Sequence, residues 1–477
     1  MTGYNRKIAI LLLGLILGIA LTLSPGILFI CALFSISFYC IKRYTHTGSG
    51  DFLARLFVFG FAVRAVLAIV NYYFGLTGAW QAADTQPDAI IYNSNAFYIA
   101  SVLKGANFIS QFIKDPFLAD KLKMSYDIYK GVIPLPGEYQ FGIYVNLLGV
   151  LYAWIGYAPI AAKLLNSLFG ALGAILVYFI ARKLVKSEIT AKVSSGIVMF
   201  FPSIIFWSVT LLQDTVVNFL FLVYILFVLV YFKQNKKSSL FIAIISLFFL
   251  SLLKTKAAIL FLIGFILVLL IKCLKDFLDR KNLAKSILLI LLYAVLINRL
   301  MFSLPTIAGS LKEGITAMFD HHISFENSSS AETFRIYKEA VYEKGSVGMD
   351  LNDFLDIGLA YSCFKALAYY LYSPFLWDIP YGHPLLAIFY PQAILTFLTF
   401  PFMLLGILIS MRRDFLISTA IVLVLTTLMI PQAMAEGLIG NVVRHRDMFM
   451  PFIIIYSCYG FCVIMLGKEK THKLLRQ

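Results

Sequence analysis

Twelve apolar runs, each 15–24 residues long and poor in charge, recur along this chain: 8–23, 25–41, 57–77, 159–182, 191–209, 215–232, 239–253, 257–272, 285–303, 386–409, 415–434 and 447–466. About 20 residues of α-helix cross the hydrocarbon core of a bilayer, because each residue advances the helix by about 1.5 Å. A soluble core has no room for so many such runs. They predict an all-α, polytopic membrane protein with about twelve transmembrane helices. Composition agrees, with 60% of the 477 residues hydrophobic and 14% charged, where soluble domains carry roughly 25% charged residues. The first run follows the positive start "MTGYNRK", and no small-x-small cleavage site follows it. It reads as a retained span rather than a removed signal peptide.

The net charge of +15 would suit nucleic acid if it were gathered on one surface. Instead the basic residues lie in short segments between apolar runs, as topology determinants do. With both termini cytoplasmic, 23 of the 40 Lys and Arg residues fall in short inner segments and fewer in the outer ones, with Arg64 inside a span. This makes residues 78–158 and 304–385 two large extracytoplasmic loops. The organisation that follows is an N-terminal hairpin and inner loop (1–56), a transmembrane core with the first outer loop (57–303), the second outer loop (304–385), and C-terminal spans with a basic tail (386–477). Within the first loop, "FGIYVNLLGVLYAWIG" (141–156) is apolar but short, and reads as a helix lying in the interface. The stretch from Pro87 reads the same way and puts Tyr92, Ala96 and Ile99 on one face.

The outer side collects acids and bases from distant parts of the sequence: Asp84 and Asp88 in the first loop, Asp214 in a tight turn, Lys254 and Lys256 in another, and Arg444, His445 and Arg446 at the entry to the last span. Arg and Lys beside a lipid interface can hold a phosphate, and a carboxylate within reach can take a proton from a hydroxyl. Plainer readings stand beside these. Lys254 and Lys256 also suit snorkelling anchors. Asp214 also suits a helix N-terminus, and Asp84 and Asp88 also suit ordinary loop positions. Arg444 and Arg446 lie where the positive-inside rule asks for no anchor, which favours function. Arg64, buried in a span, reads as architectural. Adjacent His321 and His322 lack a third histidine nearby and read as a solvated loop, so no metal site is expected. The six cysteines are scattered, with no metal-spaced pair and no disulfide framework.

"PDAIIYNSNAFYIASVLKG" (87–105) resembles the first-loop motif of the C-type (GT-C) membrane glycosyltransferases, of the protein-mannosyltransferase and aminoarabinose-transferase kind. Their pattern runs Pro-Asp-Glu-x-x-Tyr, then Ala and Gly along an interfacial helix. Pro87, Asp88, Tyr92, Ala96 and Gly105 match, while Ala89 replaces the second acid. "AKLLNSLFGALGAILVYFIARKLVKSEITAKVSSGIVMFFPSIIFWSVTLLQDTVVNFLFLVYIL" (162–226) is similar to the family's central helices. "LYSPFLWD" and "GNVVRHRDMFMPF" resemble late segments of bacterial polysaccharide members. The resemblance covers most of residues 57–466, and the hairpin 8–41 looks like an addition.

The resemblance implies a GT-C-like fold and an extracytoplasmic active site in a plasma membrane, the bacterial inner membrane. It implies transfer of a sugar from a polyprenyl-phosphate-linked donor to a hydroxyl of a glycan, lipid or protein, with inversion. Asp88 would be the base, with Asp84 the nearest other acid. Tyr92, Asp214, Lys254, Lys256, Arg444, His445 and Arg446 would line the substrate site, the basic ones on the lipid phosphate. No cofactor is implied, and membrane lipids would be the other partners. Two alternatives remain open: a polysaccharide polymerase or ligase using a polyprenyl-diphosphate glycan, and a lipid-linked sugar transporter or flippase. The second would want charges near the midplane of the spans.

Overall fold

The computed structural model describes residues 26–44, 49–74, 87–104, 142–254, 258–278, 367–368, 370–372, 384–435 and 439–476. Among them there is no strand. Fourteen helices are described: α1 Gly26–Tyr44, α2 Gly50–Phe74, α3 Pro87–Lys104, α4 Ile143–Ile155, α5 Pro159–Val185, α6 Glu188–Met199, α7 Pro202–Ser208, α8 Asp214–Gln234, α9 Lys237–Leu253, α10 Ala258–Leu278, α11 Pro384–Arg413, α12 Phe415–Ala435, α13 Ile439–Arg446 and α14 Met450–Arg476. Four of them (α3, α5, α7 and α11) open on proline, which loses nothing at a position whose N–H has no helical acceptor.

Five of these helices carry stretches long and apolar enough to cross a membrane: Gly26–Arg43, Gly50–Tyr72, Pro159–Val185, Asp214–Gln234 and Pro391–Arg413. A bent pair, α6 with α7, makes a sixth if counted as one span. Shorter apolar helices cover the expected runs at 239–253, 257–272, 415–434 and 447–466. The runs 8–23 and 285–303 lie outside the described residues. The architecture is thus an all-α, multi-pass membrane protein.

The expected straight span 191–209 is instead broken, with a bend of 54° between α6 and α7. Pro202 has no N–H to give the preceding turn and its ring displaces that turn. The ladder tightens as it arrives there: Phe200 N donates to Ile197 O (3.2 Å) and Phe201 N to Val198 O (3.4 Å) before Ile205 N starts again on Phe201 O (3.0 Å).

The chain divides into two compact units, residues 1–176 with 195–220, and 177–194 with 221–477. In the first, Ile27, Ile30, Ala68, Ala158, Ile160, Ala161, Leu164 and Val209 form a buried apolar core. Phe34 stacks on Phe57 and tilts onto Phe61 to join α1 to α2. Helices α3 and α4 approach closely because Gly149 has no side chain: a Cβ there would lie 2.6 Å from the Ile99 Cβ. A short apolar helix, α4, covers the stretch 141–156 and ends at Gly156 with φ 87°.

In the second unit, Phe221 packs edge-on against Phe449 and Phe452. The tightest helix pair is α11 with α14. A Cβ on Gly406 would lie 2.0 Å from the Tyr456 carbonyl oxygen, and one on Gly460 would lie 2.0 Å from that of Phe402. Several helix ends also meet here. Arg413 Nη1, in the last turn of α11, donates to Val185 O of α5 at 2.6 Å. Lys233, in the last turn of α8, donates to Lys183 O of α5. Glu188 accepts from Arg182 (2.5 Å) and Lys192 (2.8 Å). Arg413 and Lys233 thus cap carbonyls that the end of α5 leaves without helical donors. All are residues that the charge distribution assigns to the inner side.

Candidate functional sites

The first unit holds a polar and aromatic cluster built where α3, α4, α5 and the turn before α8 converge. Asn166, on α5, is 2% exposed. Its Nδ2 donates to Thr210 O and Leu212 O at 2.9 Å each and to the Tyr144 hydroxyl at 3.1 Å. Ser167 Oγ donates to Ser208 O (3.2 Å), and Thr210 and Thr215 both donate to Trp207 O. Non-helical backbone at membrane depth must find its partners inside the protein, and these side chains supply them for the turn that carries Asp214. Asp214 opens α8 and is 3% exposed.

Tyr144 of α4 meets Tyr92 of α3 edge to face, with centroids 5.6 Å apart. Burial raises the Tyr144 phenol well above its ordinary pKa. The Asn166 bond opposes that shift, while Tyr92 and the Asp214 charge add to it. Tyr144 therefore lies near both Tyr92 and Asp214. A second group lies alongside: Asn93 Nδ2 donates to the Tyr157 hydroxyl (2.6 Å), and the Tyr152 hydroxyl donates to Asn93 Oδ1 (2.9 Å). Lys163, one turn before Asn166, is buried with its ammonium 5.9 Å from the Tyr72 ring centroid. Asp88 is the second residue of α3, one turn before Tyr92. Asp84, Lys256, His321 and His322 lie outside the described residues.

Arg64, read from sequence as architectural, is fully buried in α2. Its Nε donates to Ser208 Oγ at 3.0 Å, and its Nη1 lies 3.1 Å from Gly60 O and 3.3 Å from Met199 Sδ. It thus ties α2 to the last residues of α6 and α7, on either side of the break. Gly60 and Gly170 make the room, since a Cβ on Gly170 would stand 3.2 Å from the Arg64 Nε.

The second unit gathers cations. Lys254, which ends α9, places Nζ 3.1 Å from His445 Nε2, across 191 residues of sequence. Arg444 and Arg446, flanking His445 on α13, are 7% and 1% exposed. Arg446 Nη1 donates to the carbonyls of Leu371 (2.8 Å) and Tyr370 (3.3 Å), and the Tyr370 hydroxyl donates to Gln432 Oε1 (3.0 Å). Arg446 therefore fastens residues 370–371 to α13, while Lys254 and His445 pair with each other. Asp447, 1% exposed, follows directly.

Sequence reasoning missed Asn93, Asn166, Lys163, Tyr370 and Gln432. Asn166 and Lys163 sit inside an apolar run, where an isolated polar residue gives no periodic signal. Among the described residues no group of three or more His, Cys, Asp or Glu could hold a metal. No family model, curated protein or solved structure matches the chain.

Proposed function

We propose that the protein is a membrane glycosyltransferase that moves a sugar from a polyprenyl-phosphate-linked donor to an acceptor hydroxyl at the extracytoplasmic face. The observation that carries this reading is the contact of Lys254 with His445, which Arg444 and Arg446 flank on α13; the charge distribution along the sequence assigns all four to the outer side, where no anchor is asked for. Arg444, Lys254 and His445 are assigned to the lipid phosphate, since charge-assisted donors suit a phosphate at a partly dry interface. Arg446 keeps these groups in place by anchoring residues 370–371. Asp88 is assigned as the base, with Tyr92 on the same helix shaping the site and Asp214 as a second acid in that unit. The resemblance of residues 87–105 to the GT-C first-loop motif supports this part, together with the helical, multi-pass architecture.

The test is mass spectrometry of lipid-linked sugars and surface glycans from cells with and without the protein. One polyprenyl-phosphate sugar should accumulate in its absence. Asp88→Asn should transfer about 10²–10⁴-fold more slowly while donor binding persists. Arg444→Ala should weaken donor use by roughly ten- to a hundredfold, as loss of one charge-assisted contact does. An unchanged lipid-linked pool, together with normal surface glycans, would overturn the assignment.

A further inference from the structure

We infer that Asn71, on the face of α2 that meets α5 and at the level of Lys163, recognises two neighbouring hydroxyls of the sugar that the donor carries. This rests on the reading above and gives it a sugar subsite. Asn71 is 1% exposed, and neither its Nδ2 nor its Oδ1 has a hydrogen-bond partner among the described residues. A buried amide left so destabilises the fold. Contacts between α2 and α5 fix its register. A Cβ on Gly170 would stand 3.2 Å from the Arg64 Nε, and the Lys163 ammonium lies 5.9 Å from the Tyr72 ring centroid. The chain advances along α2 from the first contact to the second and goes back along α5, so the two helices run antiparallel. Asn71 is seven residues after Arg64, nearly two helical turns, and keeps nearly the same face about 10.5 Å further along. Lys163 is seven residues before Gly170, which puts it at the same level on the facing helix. The charge distribution assigns this end of both helices to the outer side.

The surroundings suit a sugar. Tyr72 is half-buried and offers an apolar ring with a polar tip. Tyr152 lies near both Tyr72 and Tyr144, which connects Asn71 and Lys163 to the cluster holding Tyr92 and Asp214. All of these belong to the unit that contains Asp88. A carboxamide sets a donor beside an acceptor. Two neighbouring hydroxyls match it, one donating to Oδ1 and the other accepting from Nδ2. An ammonium only donates, so Lys163 serves a hydroxyl or ring oxygen beside them. An ionised phosphate or carboxylate has no donor for Oδ1, so the neutral, hydroxylated part of the substrate is assigned here. Asn71 is in the last turn of α2, which ends at Phe74. Only that turn has to move for a sugar to enter, and helix ends open more readily than their middles.

Titration calorimetry and thermal unfolding of the purified full chain in detergent micelles test this. The probes are diesters of farnesyl phosphate with glucose, galactose, mannose and xylose, joined through the anomeric carbon, and with cyclohexanol. All carry one negative charge and one farnesyl chain, and only the sugars carry hydroxyls. At least one sugar diester should bind the wild type about tenfold or more tightly than the cyclohexyl diester, as a pair of hydrogen bonds gives. Asn71→Leu keeps nearly the same shape without the polar atoms. It should lose most of that preference, bind the cyclohexyl diester as before, and unfold at the same or a higher temperature. Should Asn71→Leu not fold, Asn71→Ala takes its place and the loss of preference decides. A preference kept by the variant, or a lower unfolding temperature for folded Asn71→Leu, would overturn the inference, the amide then serving the fold. No sugar preference in the wild type would remove the subsite and leave the lipid-phosphate site standing. Failure of every diester to bind would remove the proposed function as well.

Discussion

In the first unit the Asn166 side chain holds a turn and a phenol together. One amide nitrogen serves Thr210 O, Leu212 O and the Tyr144 hydroxyl. Asn166→Ala therefore strands two buried carbonyls and a phenol, each worth about 1–3 kcal/mol when unsatisfied. A stability loss of about 2–4 kcal/mol is expected from denaturation in micelles. Ser195→Ala, which removes one bond to Ala174 O, should cost about 1 kcal/mol. Equal losses would mean that the Asp214 turn does not depend on Asn166. The same cluster predicts an alkaline limit. Burial pushes the Tyr157 phenol up to about 12, against the opposing Asn93 bond, from an ordinary value near 10. Its neutral form is favoured by the fold, so its contribution is complete below pH ~10 and fades as pH rises to about 12. Tyr157→Phe should flatten the fall in stability over that window, as followed by denaturation at stepped pH. Of the residues with chemistry, Lys254 and His445 were legible in sequence because sidedness alone brings them together. Asn166 was not, because its importance lies in what another helix and a turn leave unpaired.

At the scale of helices, small residues decide where backbones touch. Gly406 and Gly460 each leave less space than a methyl group needs, and the obstacle is a carbonyl of the facing helix rather than a movable side chain. Gly406→Ala should force α11 away from α14 at a cost of about 1–3 kcal/mol. Gly196 lies in α6 with nothing within 4 Å of its would-be Cβ. Gly196→Ala should leave stability unchanged or raise it by up to about 1 kcal/mol, since alanine is the better helix former. Thermal midpoints in one detergent compare the two, and a matched response would remove the packing argument. The break between α6 and α7 shows why hydropathy alone placed a single span at 191–209. The run is apolar on both sides of Pro202, and hydropathy carries no record of a missing N–H. The proline was visible in "FFPSIIF". What could not be read from it was that Arg64 would tie the helices on both sides of the gap.

For the molecule as a whole, sidedness is the claim on which the functional proposal depends. With native cysteines replaced, Val102→Cys, at an exposed position near the end of α3, should react with an impermeant thiol reagent in intact cells. Ser238→Cys, exposed at the start of α9, should react only after the membrane is opened. The reverse pattern would put Lys254 and Arg444 on the cytoplasmic side and end the extracytoplasmic active-site proposal. The multi-pass helical character was legible from run length and charge alone. The meeting of helix ends was legible only as a shared side, because which cation caps which carbonyl depends on packing. That meeting bears on biogenesis. The Lys183 carbonyl is capped by a residue 50 positions later and the Val185 carbonyl by one 228 positions later. At roughly 5–20 residues per second of synthesis, Arg413 emerges about 10–50 seconds after Val185. Through that interval water or the insertion machinery must shield the end of α5, so a nascent chain halted before α11 carries an unfinished helix end that a membrane protease or chaperone can recognise.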